Sequence, residues 1–462
     1  MPTTIGPPPG TSRRDGHAAP HDDGRTSGRR LAWVVAGSVV LGPLAAAALT
    51  LGGFAGAPEH AVTGAGLLGL SVGWAALAVA SSALTDRPQP WAWVPAACLG
   101  SAGAAMLVIA PDEGALSAAG WVWPPLLLAM TAWTAARAVR SMGLRASFWL
   151  LAPALLLLLL ASVGGGAATL QAASAGEAPP MPGKLHDVGD YRLHLSCTGT
   201  GGPTVVLVGG LGETSAAWSL VQPAVARMTR VCAYDRAGQA WSDSAPGAKD
   251  GKQVADDLHA LLRRAGEPGP YVLAGHSVGG TYALVYAAHR PADVAGLVLL
   301  DSASPYQFTA LREFPAAYSL LRRGTALLPV LKRLGAAPLL RSDVPADLPP
   351  AAQAQTQAFD WSSRQLRTER DEVAGYPAVF DQAQGLDEVG STPLIVVTAT
   401  AGDRQEGWAE AQKNLAALSS TSNHRLLPAT HASLLVDAAD SANSVTAIVD
   451  VVRAARTPVP SG

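Results

Sequence analysis

Tyr271-Val272-Leu273-Ala274-Gly275-His276-Ser277-Val278-Gly279-Gly280 decides how the second half of the chain is read. Its opening residues form an apolar run of the kind found in buried strands. A helical pattern follows, from about 278 to 290. A strand running into G-x-S-x-G and on into a helix puts Ser277 on a strained turn. Only small residues fit two places to either side of such a turn. The Ser277 hydroxyl then projects above the sheet, and the next helix aims its positive end at it. In a chain with 48 glycines the pentapeptide alone says little; the strand before it and the helix after it give it weight.

The same rhythm extends outward. Tyr191–Cys197 alternates apolar and polar residues, as a half-buried strand does. Thr204–Val208, Val231–Tyr234, Leu297–Leu300 and Leu394–Thr398 are continuous apolar runs, expected as buried parallel strands. Helical patterns lie between them, around 215–229, 252–265 and 406–418. Such alternation predicts an α/β sheet with crossover helices. Residues 303–390 break the rhythm and are too long for an ordinary connection. With amphipathic segments such as Ala316–Leu334, they are expected to form an inserted helical cap between core segments 186–302 and 391–457.

Taken together, these features resemble the α/β-hydrolase family over nearly all of 186–455. Val208-Gly209-Gly210-Leu211-Gly212 is similar to the family's oxyanion loop, with Gly209 where His is more usual. Tyr234-Asp235-Arg236-Ala237-Gly238-Gln239-Ala240-Trp241-Ser242-Asp243 resembles its D-R-x-G-x-G-x-S turn, with Ala240 replacing a glycine.

The resemblance implies roles for particular residues. Ser277 would be the nucleophile. His431, in Pro428-Ala429-Thr430-His431, would be the base, since it follows a strand-like stretch near the C-terminus. His424 is expected to precede that strand, His289 to end the helix after the elbow, and His276 to point away from the nucleophile, either as a packing residue or as one that supports the site from behind. The acid that orients the base has two candidates. Asp301, after the Gly296–Leu300 strand, is favoured; Asp403, after Pro393–Thr398, sits at the more common location but one residue beyond the usual spacing. The backbone N–H groups of Leu211 and Val278 would meet the developing oxyanion. Cys197 and Cys232 fall on strands that are neighbours in the family's sheet, so a disulfide is expected if the domain lies outside the cytoplasm.

The implied chemistry is acyl transfer: an ester-like bond is cleaved through an acyl-enzyme that water releases. Serine at the elbow argues against epoxide hydrolase or dehalogenase chemistry, for which the family uses Asp. No cofactor is expected. Metal-ligand spacing is absent, and the glycine-rich segments lack a P-loop ending.

The N-terminal half reads differently. Charged residues are only 15% of the chain and hydrophobic residues 49%, and the shortage of charge lies mostly here. After a polar tail at 1–30, expected to be disordered and cytoplasmic, five charge-free stretches are each long enough to cross a bilayer as a helix. The expected spans are 31–57, 61–84, 90–110, 117–136 and 146–170 of an all-α domain at 31–176, with a linker at 177–185. Cys98, inside a span, is expected to be a small packing residue. The nine basic residues before Lys184, from Arg13 to Arg145, all fall on one side of this pattern, and Glu59, Asp112 and Glu113 on the other. Positive-inside then places the tail in the cytoplasm and the hydrolase-like half outside a cell membrane. The net charge of −2 gives no reason to expect a nucleic acid partner. The expected partners are the bilayer and a hydrophobic or acyl small molecule. A different class of function also fits: a membrane receptor or complex subunit whose hydrolase-like half is a non-catalytic binding module.

Overall fold

A computed structural model describes residues 23–457 apart from 175, 177, 341–342 and 403–404. It begins with six helices: α1 (Asp23–Ala48, prolonged by a π turn at Leu49–Gly53), α2 (Glu59–Leu84), α3 (Trp93–Ile109), α4 (Glu113–Ala119), α5 (Trp123–Met142) and α6 (Ala146–Ala173). Four are long and apolar enough to cross a membrane, or five if α4 and α5, bent by 44°, count as one span. The helices approach closely where side chains vanish. A Cβ on Gly69 would lie 2.2 Å from the Ala46 nitrogen of α1, and one on Gly64 would lie 2.8 Å from the Gly103 carbonyl of α3.

Three expectations for this half need correction. Helix α1 starts at Asp23, so residues 23–30 are helical; extending an existing helix needs no new nucleus. The span expected at 117–136 is a bent pair. Pro124 and Pro125 open α5, and prolines tolerated in a helix's first turn would break the interior of one continuing from α4. Cys98 is exposed on the bundle surface rather than packed. Residues 1–22 of the expected tail lie outside the described residues.

The second half is one eight-stranded sheet. In chain order its elements are β1 (Lys184–Asp187), β2 (Arg192–Thr198), β3 (Thr204–Val208), the single-turn α7 (Gln222–Val225), β4 (Val231–Tyr234), α8 (Gly251–Ala265), β5 (Tyr271–His276), α9 (Val278–His289) and β6 (Val294–Leu300). The cap follows as α10 (Gln307–Ala310), α11 (Phe314–Arg333), α12 (Ala337–Leu340), α13 (Pro350–Phe359) and α14 (Ser363–Ala383). The chain closes with β7 (Leu394–Ala399), α15 (Trp408–Ala416), β8 (Ser422–Leu427), α16 (Ser433–Val436) and α17 (Ala438–Arg456). The strand order is β1-β2-β4-β3-β5-β6-β7-β8. Strands β1 and β2 are antiparallel additions to a parallel run. The expected linker therefore ends in a strand at Lys184, and the helix expected at 215–229 is only a 3₁₀ turn and α7.

Continuous apolar strands bury both faces of the sheet. One face is covered by α8, α9 and cap residues such as Val373 and Phe380. The other is covered by Trp218 and the α17 row Ala447, Ile448, Val451 and Val452. The register Val208↔Gly275, His276↔Leu300 and Leu300↔Val397 ends β3, β5, β6 and β7 along one rim. That rim is where open α/β sheets carry their sites.

Candidate active site

The elbow needs its glycines. Ser277 has φ +56°, a backbone region costly for a side-chain-bearing residue. Its N–H donates to Leu300 O (3.1 Å), and its carbonyl accepts from Gly280 (3.2 Å) and Ala303 (3.0 Å). A Cβ on Gly279 would meet Val208 O at 2.2 Å, and one on Gly275 would meet Gly280 Cα at 2.5 Å. The strain is held because β6, the loop after it and the first turn of α9 all bond to this one residue.

Next to it lies the loop Gly209–Glu213. A Cβ on Gly210 would come within 2.8 Å of the Ser277 Cβ. Arg236, from the turn after β4, donates to Gly209 O (2.5 Å) and Gly210 O (2.7 Å). In a planar trans peptide the C=O and the following N–H point opposite ways. Fixing the Gly210 carbonyl on Arg236 therefore turns the Leu211 N–H away from that guanidinium.

His431 follows β8, and its Nδ1 lies 2.6 Å from Asp301 Oδ2. Asp301 is fully buried at the end of β6 with φ +42°. Its N–H donates to Val397 O (2.7 Å), and its Oδ1 accepts from the Ala399 N–H (3.1 Å). An Asp301 carboxylate accepting from Nδ1 leaves His431 Nε2 as the free ring nitrogen. Asp403 lies outside the described residues. His289 pairs with Asp256 away from this rim. His424 does not precede β8 but sits within it, against the Thr398 hydroxyl at 2.8 Å. Cys197 and Cys232 are directly opposite in the β2–β4 register, 4.0 Å apart at Cα, with their sulfurs bonded.

Two features at this rim carry no sequence signal of their own. The first is Glu213. Its Oε1 lies 2.6 Å from His276 Nδ1, while its Oε2 accepts from the Gly210 N–H (2.5 Å). His276 Nε2 in turn donates to the His431 carbonyl (2.9 Å), and the two imidazoles stand 4.4 Å apart. Of its two expected roles the contacts fit the supporting one: with Glu213, His276 ties the Gly209–Glu213 loop to the backbone of His431. Burial alone would lower the His276 pKa, but the Glu213 carboxylate outweighs it and holds the imidazole above its ordinary value. Burial would raise Glu213, and the His276 charge outweighs it and holds the carboxylate below its own. The histidine's share of the stabilisation is complete below its ordinary 6.5 and is lost as pH rises through its raised value. The glutamate's share is complete above its ordinary 4.5 and is lost as pH falls through its lowered value. Replacing Glu213 with Ala should lower kcat for a short-chain ester by about 100-fold with KM nearly unchanged, the usual cost of a small misplacement. Glu213→Gln should recover most of that, because its amide oxygen still accepts from Gly210. Thermal melts should find wild type and Glu213→Gln furthest apart between pH 4.5 and 6.5.

The second feature is Glu369 on α14. A Cβ on Gly212 would lie 2.9 Å from its Oε1, one residue beyond Leu211. Burial, and then the neighbouring charge of Glu372, push its pKa up to about 8. At neutral pH it is therefore a neutral acid against the loop. As pH rises through about 8 it takes on a negative charge beside the Gly209–Glu213 loop. Turnover should fall as pH rises through about 8, and Glu369→Gln should remove that alkaline fall.

Comparison with known proteins agrees with this architecture. A family model described as "alpha/beta hydrolase fold" matches residues 203–337. An uncharacterised protein of Schizosaccharomyces pombe is 33% identical over 174 residues, 31% of this chain and 32% of its own length. Lipase LipV of Mycobacterium tuberculosis is 37% identical over 123 residues, 26% of this chain and 46% of its own. The chain thus spans less than half the length of either. A solved esterase of Thermogutta terrifontis is 22% identical with a TM-score of 0.44, covering 58% of this chain and 95% of that one. The C-terminal half of the chain is an α/β-hydrolase-fold domain, and it follows a bundle of four to five apolar helices.

Proposed function

We propose that this protein is a membrane-anchored serine hydrolase that cleaves a carboxylic ester through Ser277, His431 and Asp301. The observation that carries the reading is the 2.6 Å contact between His431 and a fully buried Asp301, on the rim where the Ser277 elbow ends β5. In the proposed cycle, His431 Nε2 takes the Ser277 proton as Oγ attacks the carbonyl carbon. The Leu211 and Val278 N–H groups receive the charge on the carbonyl oxygen. The C–O bond to the leaving alcohol breaks as His431 returns the proton to it, and water repeats the sequence on the acyl-enzyme. Asp301 holds the imidazole in the tautomer this needs and stabilises its protonated form.

The apolar bundle is proposed to span the bilayer with its basic side in the cytoplasm, leaving the hydrolase domain outside. A Cys197–Cys232 disulfide fits that compartment. A hydrophobic acyl substrate, with membrane lipid the leading candidate, is favoured by the exposed leucines Leu320 and Leu339 on a cap that Arg323 and Arg333 tie to the bundle. Labelling of the full chain by a fluorophosphonate tests the reading. Wild type should label and Ser277→Ala should not. A folded wild type that stays unlabelled would sink the proposal and favour the binding-module reading.

A further inference from the structure

Helix α14 touches two things that have no other reason to communicate. Toward the bundle, Arg367 pairs with Glu113 at the start of α4, and its Nη1 lies 4.0 Å from Glu59 Oε2 at the start of α2. Glu59 is only 2% exposed and also pairs with Arg333 at the end of α11. The cap is seated there by backbone as well. A Cβ on Gly335 would lie 2.5 Å from Gly164 O of α6, and Arg323 donates to Leu51 O (2.7 Å).

Toward the hydrolase core, Gln365 donates to Gly212 O (3.0 Å). Glu372 accepts from Arg236 at Nε (2.8 Å) and Nη2 (3.0 Å), and Arg236 in turn holds the carbonyls of Gly209 and Gly210. Helix geometry separates the two sets. Gln365, Glu369 and Glu372 fall within about 60° of one another around the axis, while Arg367 lies about 200° from Gln365.

We infer that the N-terminal bundle is a positioning part of the active site: Glu59 and Glu113 hold α14 through Arg367, and α14 holds the oxyanion loop through Gln365 and Glu372. This rests on the catalytic reading of Ser277. The physical reason is that Glu59 is out of water, so the cap cannot leave it without stranding a charge, and α14 keeps one position while that contact lasts. Oxyanion donors work only in place, and displacement of about 1 Å costs about 100-fold. Glu59, Glu113 and Arg367 touch no substrate; they are positioning residues.

The test uses the full chain in lipid nanodiscs with p-nitrophenyl acetate, a water-soluble ester whose access owes nothing to the bilayer. Arg367→Gln and Glu113→Gln should each lower kcat, the former by about 10-fold or more, with KM nearly unchanged. The double variant should be no worse than Arg367→Gln alone, because both act through one contact. Wild-type kcat should also differ between nanodiscs of dimyristoleoyl- and dierucoyl-phosphatidylcholine, and Arg367→Gln should lose that dependence. If Arg367→Gln fails to fold, Glu113→Gln, at a partly exposed carboxylate, carries the test together with the thickness series. Wild-type kcat in folded variants, with no dependence on thickness, overturns the inference. Absence of turnover by wild type removes the catalytic reading and this inference with it.

Discussion

Ser277→Ala should lower ester turnover by about 10⁶-fold, His431→Ala by a similar factor, and the two together by no more than the worse of them. The non-additivity is the informative part. A hydroxyl attacks only as its proton leaves, and the imidazole has no task without that proton, so removing either abolishes the same step. What survives is binding and the two N–H donors, worth about 10³–10⁴ over water. Folding should be unaffected in Ser277→Ala. Ser277 is only partly buried, and the bonds that hold the strained turn run from its backbone to Leu300, Gly280 and Ala303. Equal melting temperatures with turnover lost would separate chemistry from stability. Independent, multiplying losses would mean that the two residues do not act as a unit.

What could be read without coordinates followed burial. Strands β3 and β4 match their apolar runs end to end because each residue of those runs is buried. Strands β1 and β8 lie at the sheet's two edges, where no residue of either is buried, and so their apolar pattern is too weak to fix where they start and end. That is also why His424 could be misplaced: it belongs to the half-exposed edge strand β8. The stretch 215–229 has helical periodicity, yet the Ser215 N–H is taken by Asp235 (2.6 Å), which pins its start to the turn after β4. The strained turn at Ser277 was legible because the elbow and its glycines are local in sequence. Glu213 was not, since its meaning depends on His276 lying 63 positions away. Nor was Arg367, whose partners Glu59 and Glu113 belong to a half of the chain read only as an anchor.

Asp301→Asn should cost about 10⁴-fold in turnover, although it changes one atom. Asp301 uses both carboxylate oxygens: Oδ1 accepts from the Ala399 N–H and Oδ2 faces His431 Nδ1. An asparagine has one oxygen. If it stays on Ala399, the amide NH₂ faces Nδ1 and selects the tautomer with the proton on Nε2, which cannot act as a base toward Ser277. If the amide flips, it sets a donor against the Ala399 N–H inside a fully buried site, at a cost of about 1–3 kcal/mol. The first arrangement should prevail, so the variant folds and fails chemically. The backbone adds no penalty, because Asn tolerates the φ of +42° at this position about as well as Asp. Asp403→Asn is the control, expected to keep turnover near wild type. Equal, small losses in both variants would mean that neither residue orients His431, whereas a large loss confined to Asp403→Asn would assign the acid there.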